Sequence, residues 1–260
     1  MTVFAQSVSI GNGVRMPIVG LGTWALRGGA GQAVIRRALD VGYRHLDTAR
    51  VYRNEEEVGR AVRDSGIARE DVFITTKLPP DRAGRAPETL SASLAALDTE
   101  FVDLWLIHWP PNGAASPETW RALVAARREG RARAIGVSNY SIAQIDELIE
   151  TTSQTPAVNQ VKWSPSLHDP DRLAAHRERG VVLEGYSPFK STSLRHPTLV
   201  EIANTHGVTP AQVVVRWHIQ HGIVVIPKTA QLDRLETNGD IEGFELDTAE
   251  MARIDGMNGR

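Results

Sequence analysis

Four polar residues stand at or just beyond the ends of short apolar runs, and together they could move a proton. Asp47 closes the run His45-Leu46-Asp47, and the phenol of Tyr52 follows in the next loop. Lys77 closes Val72–Lys77, and His108 closes Leu104–His108. A phenol with a pKa of about 10 is a poor acid and a poor base at neutral pH. A neighbouring ammonium favours the phenolate and lowers that pKa, and an aspartate beside the lysine keeps the cation charged and in place. The histidine can bond a substrate oxygen and orient it. Such a set protonates an oxygen while something else attacks its carbon. The sequence offers no cysteine nucleophile, activated-serine motif or metal-ligand cluster. Hydride from a nicotinamide is the natural partner reaction.

The elements that must position these groups alternate regularly. Val8–Ile10 and Val14–Met16 flank Gly11-Asn12-Gly13, a turn signal open to positive φ, and predict an N-terminal β-hairpin. Apolar runs then recur at 18–21, 45–47, 72–77, 104–108, 134–138, 157–161, 181–186 and 223–227. Continuous apolar character suits strands buried on both faces. Between them, 33–41, 56–64, 87–97, 117–128, 142–149 and 170–179 carry apolar residues at helical spacing. Several of these open with Ser, Asn, Asp or Pro, as helix starts should. A longer connection, 197–206 and 210–220, precedes the last strand; 232–237 follows it, and 247–254 predicts an added C-terminal helix. Eight strands alternating with helices predict a (β/α)8 TIM barrel, an α/β fold, as a single domain over 1–260.

Chemistry in such a barrel sits at the C-terminal ends of the strands. The expected rim therefore contains Asp47 and Tyr52, Lys77, His108, Ser138 and Asn139, Gln160, Tyr186 and Ser187, and Lys228 and Thr229. Gly20-Leu21-Gly22-Thr23-Trp24-Ala25 also matches the G-x-G-x-x-A fingerprint of a dinucleotide site. Two features argue against that fold. The residues Trp24–Gly29 delay the helix, which in the fingerprint begins at the glycines, and the alternation runs on through eight strands.

Composition bounds the rest. The formal charge is −2, and no basic block could follow a phosphate backbone, so no nucleic-acid partner is expected. No cysteine means no disulfide or thiolate metal site, and no metal is expected. The N-terminus lacks a signal-peptide pattern and no apolar run approaches a bilayer span, so the expectation is a cytoplasmic protein away from membranes. Of the 29 basic residues only Lys77, Lys162, Lys190 and Lys228 are lysine. Lysine differs from arginine in being a compact charge whose pKa can move.

With these residues in view, the chain resembles the aldo-keto reductases, and short bacterial members near the diketogluconate and methylglyoxal reductases in particular. The matching segments are Gly20–Trp24, Leu46–Ala49 with Tyr52 and Asn54-Glu55, Thr76-Lys77, Ile107–Pro110, Ile135–Asn139, Asn159-Gln160, Tyr186–Pro188 and Ile226–Lys228. The resemblance implies an NADPH-dependent reductase of aldehydes or ketones, acting as a monomer on small carbonyl substrates. It implies Tyr52 as general acid in reduction and base in oxidation, Lys77 and Asp47 tuning it, and His108 orienting the carbonyl. It implies a stack of Tyr186 on the nicotinamide, and hydrogen bonds from Ser138, Asn139 and Gln160 to its carboxamide. Gly22, Thr23, Trp24, Asp47 and Ile226 would also meet the coenzyme. Ser187, Phe189 and Ser191 would meet the pyrophosphate, and Lys228, Thr229, Arg234 and Asn238 the 2′-phosphate end. Two cations there argue for NADPH over NADH, arginine being able to bond two phosphate oxygens. Trp24 and Trp109, beside Tyr52, His108 and Val51, would form an apolar substrate wall.

Departures from the family pattern are Lys162, Ser164, Lys190 and Thr237. A short loop after Pro110 and little tail beyond the last helix imply an open, permissive site. Two other readings stay in view. One is a non-catalytic or weakly catalytic NADPH-binding regulatory subunit on the same barrel. The other is a lyase using Lys77 as a Schiff base, against which Asp47 argues by keeping the lysine protonated.

Overall fold

The computed structural model describes residues 2–258. Two strands, β1 (Ser7–Ser9) and β2 (Arg15–Pro17), form the antiparallel hairpin, with Ser7 opposite Pro17. Its turn has Gly11, Asn12 and Gly13 all at positive φ, as the turn signal required. Inward-facing Met16 is fully buried.

Eight parallel strands follow: β3 (Leu21–Gly22), β4 (His45–Asp47), β5 (Phe73–Leu78), β6 (Val102–Ile107), β7 (Ala132–Ser138), β8 (Val158–Lys162), β9 (Val182–Tyr186) and β10 (Val224–Ile226). Each pairs with its sequence neighbour. Main-chain hydrogen bonds join the ends of the ring: Val225 N to Ile18 O, Gly20 N to Val225 O and Gly22 N to Pro227 O. The architecture is the (β/α)8 barrel that the alternation predicts. Every residue of β5 and β6 is buried, which is why these strands read as unbroken apolar runs with isolated polar residues.

The helices are α1 (Gly28–Val41), α2 (Glu55–Ser65), α3 (Ala86–Leu97), α4 (Pro117–Arg128), α5 (Ile142–Thr152), α6 (Pro170–Glu178), α7 (Pro197–His206), α8 (Pro210–Gln220), α9 (Leu232–Gly239) and α10 (Thr248–Asp255). Their starts are chemically marked. Ser141 with Gln144, Thr209 with Gln212 and Asp247 with Glu250 each form a reciprocal capping box. Helix α10 is the added C-terminal helix. No helix among the described residues is long and apolar enough to cross a membrane.

The glycine pair that imitates a dinucleotide fingerprint has another cause. A Cβ on Gly20 would lie 2.5 Å from His45 Nδ1, and one on Gly22 would lie 3.0 Å from the Ile226 carbonyl oxygen. Both glycines let a buried side chain and the closing strand approach the backbone. Helix α1 begins only at Gly28, so its N-terminus does not open at these glycines.

Candidate active site

Side chains alternate along a strand, so residues two apart share a face. That rule stacks two polar layers inside the barrel. The deeper layer holds His45, Thr75 and Glu184; the layer above it, nearer the C-terminal ends, holds Asp47, Lys77 and Tyr186. The β4–β5 register sets Asp47 beside Thr75, and Lys77 lies one inward position further along. Lys77 is fully buried and Asp47 is 2% exposed. The ammonium donates to Asp47 Oδ1 and Oδ2, both at 2.7 Å, and to the Thr48 carbonyl at 2.8 Å. A buried cation thus has a carboxylate and a carbonyl for its three donors.

Tyr52 sits on the 3-10 turn Arg50–Tyr52 beyond β4. Asn54, fully buried, fastens this loop. It accepts from Thr48 Oγ1 at 2.8 Å and donates to the Thr23 and Leu26 carbonyls at 2.8 and 2.9 Å. The Thr23 hydroxyl in turn donates to the Asp47 carbonyl. Glu55, also buried, accepts from Thr76 Oγ1 and pairs with Arg50. The Tyr52 ring is thereby held with Lys77 Nζ 5.1 Å from its centre. His108 meets it edge to face, with centroids 5.8 Å apart.

The electrostatics correct one expectation. Lys77 does pull the Tyr52 phenol down, but burial is the larger influence and Asp47 and Glu184 add to it, so the net shift is upward. The phenol is a protonated group at neutral pH. For Lys77 the largest single influence, burial, acts downward, yet Asp47, Tyr52 and Glu184 together carry it up. Burial, and then the Lys77 charge, push His108 down to about 3. His108 is therefore a neutral imidazole at physiological pH, able to hydrogen-bond an oxygen but holding no spare proton.

A cavity of about 600 Å³ opens above this layer. Gly22, Trp24, Asp47, Val51, Tyr52, His108 and Trp109 line one side; Ser138, Asn139, Gln160, Tyr186, Ser187, Phe189, Lys190, Ile226 and Lys228 line the rest. Trp24 and Trp109 are 55% and 49% exposed, so the apolar wall stands open at the mouth. Lys190 lies over the Trp24 ring at 4.8 Å. The short loop after Pro110 contributes nothing to the lining. It is tied down instead, Gly113 O accepting from Gln144 and Ala115 O from Tyr140.

Not every predicted residue reaches this cavity. Thr23 is buried behind Asp47, and Lys77 lies beneath the floor. Ser191 gives its carbonyl to Ser166 Oγ. Thr229 and Asn238 are buried, and the Thr229 hydroxyl accepts from Gln231 N, just ahead of α9. Lys228 and Arg234 are exposed and carry no ion pair among the described residues. The residues expected to meet a carboxamide are close together: Ser138 Oγ donates to the Gln160 carbonyl and accepts from Asn139, whose Oδ1 accepts from the Tyr186 hydroxyl at 2.9 Å. Asn139 holds a left-handed φ of 63°, a conformation Asn tolerates better than most residues.

Two residues of the site escape the sequence reading, Glu184 and His45. Glu184 is fully buried, accepts from Gln160 Nε2 at 2.9 Å and stands 3.7 Å from His45 Nε2. Burial, with Asp47 beside it, pushes its carboxyl well above the usual carboxylate range. The available signal was a charged residue two positions before Tyr186 in a strand otherwise buried on both faces.

The lining of the cavity combines apolar walls with a polar floor. A cavity of this size suits a ring with one polar edge, and the floor offers hydroxyl, amide and aromatic groups to such an edge. Lys228, an exposed cation, also lines the cavity, and exposed Arg234 follows on α9. Comparisons with known proteins agree with this chemistry. Residues 18–258 match the aldo/keto reductase family. The chain is 42% identical to 2,5-diketo-D-gluconic acid reductase B of a Corynebacterium species, over 96% of this chain and 92% of that protein. It is 38% identical to morphine 6-dehydrogenase of Pseudomonas putida, over 96% and 90%. Among solved structures, an aldo/keto reductase from Brucella melitensis superposes with a TM-score of 0.93 at 37% identity, covering 97% of this chain and 99% of that one. A Bombyx mori aldo-keto reductase in complex with NADP gives 0.89 at 31%, covering 98% and 94%.

Proposed function

The chain belongs to the aldo/keto reductase family, oxidoreductases that act on carbonyl compounds, and from that premise we propose that it reduces aldehydes or ketones to alcohols using NADPH, with Tyr52 as the general acid. The observation that carries this reading is the buried Lys77–Asp47 pair beneath a protonated phenol and beside a neutral imidazole. NADPH would supply the hydride when bound.

The geometry supports the following division of labour. His108 holds the carbonyl oxygen by a hydrogen bond, because its imidazole is neutral. Tyr52 gives its proton to that oxygen as charge develops there, a contribution typically worth ~10²–10⁴ in rate. Lys77 opposes the negative charge left on the phenol, and Asp47 keeps Lys77 oriented and ionised. Trp24, Val51 and Trp109 supply an apolar wall for the carbonyl's substituents. Tyr186 offers a stacking face, and Ser138, Asn139 and Gln160 a polar edge, to the nicotinamide. Ser187, Phe189 and Ser191 would serve the pyrophosphate. Lys228 and Arg234, with Thr229 and Asn238 behind them, would serve the 2′-phosphate. The acting unit is the single domain 1–260.

The test is NADPH consumption across a panel of aldehydes, dicarbonyls and sugar-derived ketones, with the alcohol product quantified. The reading predicts stoichiometric conversion for at least one class. NADPH binding with no oxidation by any carbonyl would contradict it.

A further inference from the structure

We propose that Glu184 is a positioning residue that clamps the amide of Gln160, so that Gln160 presents its oxygen, as a hydrogen-bond acceptor, to the cavity. The inference rests on the coenzyme reading above only for the identity of the group received.

Gln160 on β8 and Glu184 on β9 are register partners, and both are buried. The amide nitrogen of Gln160 donates to Asp47 Oδ2 at 2.7 Å and to Glu184 Oε2 at 2.9 Å. An amide nitrogen has two N–H groups, so both are spent. The contact with Asp47 alone would leave one N–H free and let the amide pivot about it. The second contact, with Glu184, removes that freedom. Among the described residues no hydrogen bond reaches the Gln160 amide oxygen, and Gln160 lines the cavity.

Its neighbours are more heavily engaged, each oxygen already accepting one hydrogen bond. Asn139 donates to Ser138 Oγ and to the His108 carbonyl, and its own oxygen is taken by the Tyr186 hydroxyl. Ser138 has given its proton to the Gln160 carbonyl. The floor therefore offers an acceptor at Gln160, matched to an N–H donor such as a primary carboxamide.

Glu184 is a costly residue to keep for packing alone. It is fully enclosed, and its Oε1 has no hydrogen-bond partner, standing 3.7 Å from His45 Nε2. A buried carboxyl with an unpaired oxygen is unfavourable, so the bond made by its other oxygen is the feature that accounts for it.

The test compares binding of NADPH and of its 3-acetylpyridine analogue, in which a methyl ketone replaces the carboxamide and no N–H remains. Affinities are measured by calorimetry on the wild type, Glu184→Leu and Glu184→Gln. The wild type is expected to prefer NADPH by about tenfold, the worth of one good hydrogen bond. In Glu184→Leu the freed amide turns an N–H to the cavity, and the preference falls to about twofold. Glu184→Gln keeps the preference, because its own amide oxygen still accepts from Gln160. Glu184→Met, similar in volume, repeats the test if the leucine variant does not fold; if neither folds, equal affinity of the wild type for both compounds overturns the proposal. An unchanged preference in a folded, NADPH-binding Leu or Met variant overturns it alone. Failure of the wild type to bind NADPH would overturn the coenzyme reading and this inference together.

Discussion

The buried layer beneath the cavity and the exposed surface carry cations on opposite terms. Lys77, just beneath the floor, is fully buried and bonded to Asp47 and Thr48. Lys228, which lines the cavity, and Arg234, on α9, are exposed and carry no ion pair among the described residues. The floor is finished before any ligand arrives, which suits a site that must stabilise developing charge without reorganising. The charges of Lys228 and Arg234 have no such partners among the described residues.

The sharpest break in this contrast comes from Lys77→Met. It strands the buried Asp47 carboxylate, and breaking a buried pair from one side typically costs about 3–5 kcal/mol. Denaturant unfolding should register that loss, and turnover should fall by at least ~10²-fold. Arg234→Ala should leave stability within about 0.5 kcal/mol of the wild type.

The pH dependence of stability separates the interior from the surface next. Burial holds His45 and His108 at about 3 and His218 at about 4, against the ordinary value of 6.5. The unfolded chain takes up protons in that interval that the folded chain refuses, so stability rises with pH there. The stabilisation these residues give is complete above about pH 6.5 and is lost as the pH falls toward about 3. Thermal unfolding across this window should show a steep acid limb, and a flat profile would contradict their burial as neutral rings.

On α9, Arg234→Ala should weaken NADPH binding by about tenfold and leave NADH binding unchanged, a charged hydrogen bond to phosphate being the interaction removed. Equal losses for both would take Arg234 away from the 2′-phosphate. The smallest effect belongs to Lys190→Met. An exposed cation–π contact with Trp24 is worth about 0.5–1 kcal/mol, so unfolding free energy should shift by no more than that, with turnover preserved.

The same contrast explains what was legible in the sequence. Asp47, Tyr52, Lys77 and His108 stood out because each is a polar residue breaking or following a short apolar strand, and barrel topology brings strand ends together. Glu184 and His45 stayed hidden because they lie inside such strands. Their approach to each other joins β4 and β9, strands distant in the chain. The first barrel strand was expected at 18–21, but the regular ladder covers Leu21–Gly22. Its other neighbour, β10, arrives about two hundred residues later, and only an isolated bridge and the closing hydrogen bonds extend the contact. The net upward shift of the Tyr52 phenol has a related cause. The Lys77 charge is visible in sequence, whereas the depth of burial that outweighs it is a property of the folded barrel.

The most direct test of the proton-transfer assignment is a single-turnover measurement on Tyr52→Phe, with coenzyme affinity determined in parallel. The account predicts coenzyme binding within about twofold of the wild type and a chemical step slowed by ~10²–10⁴. A chemical step at near wild-type speed in that variant would contradict it.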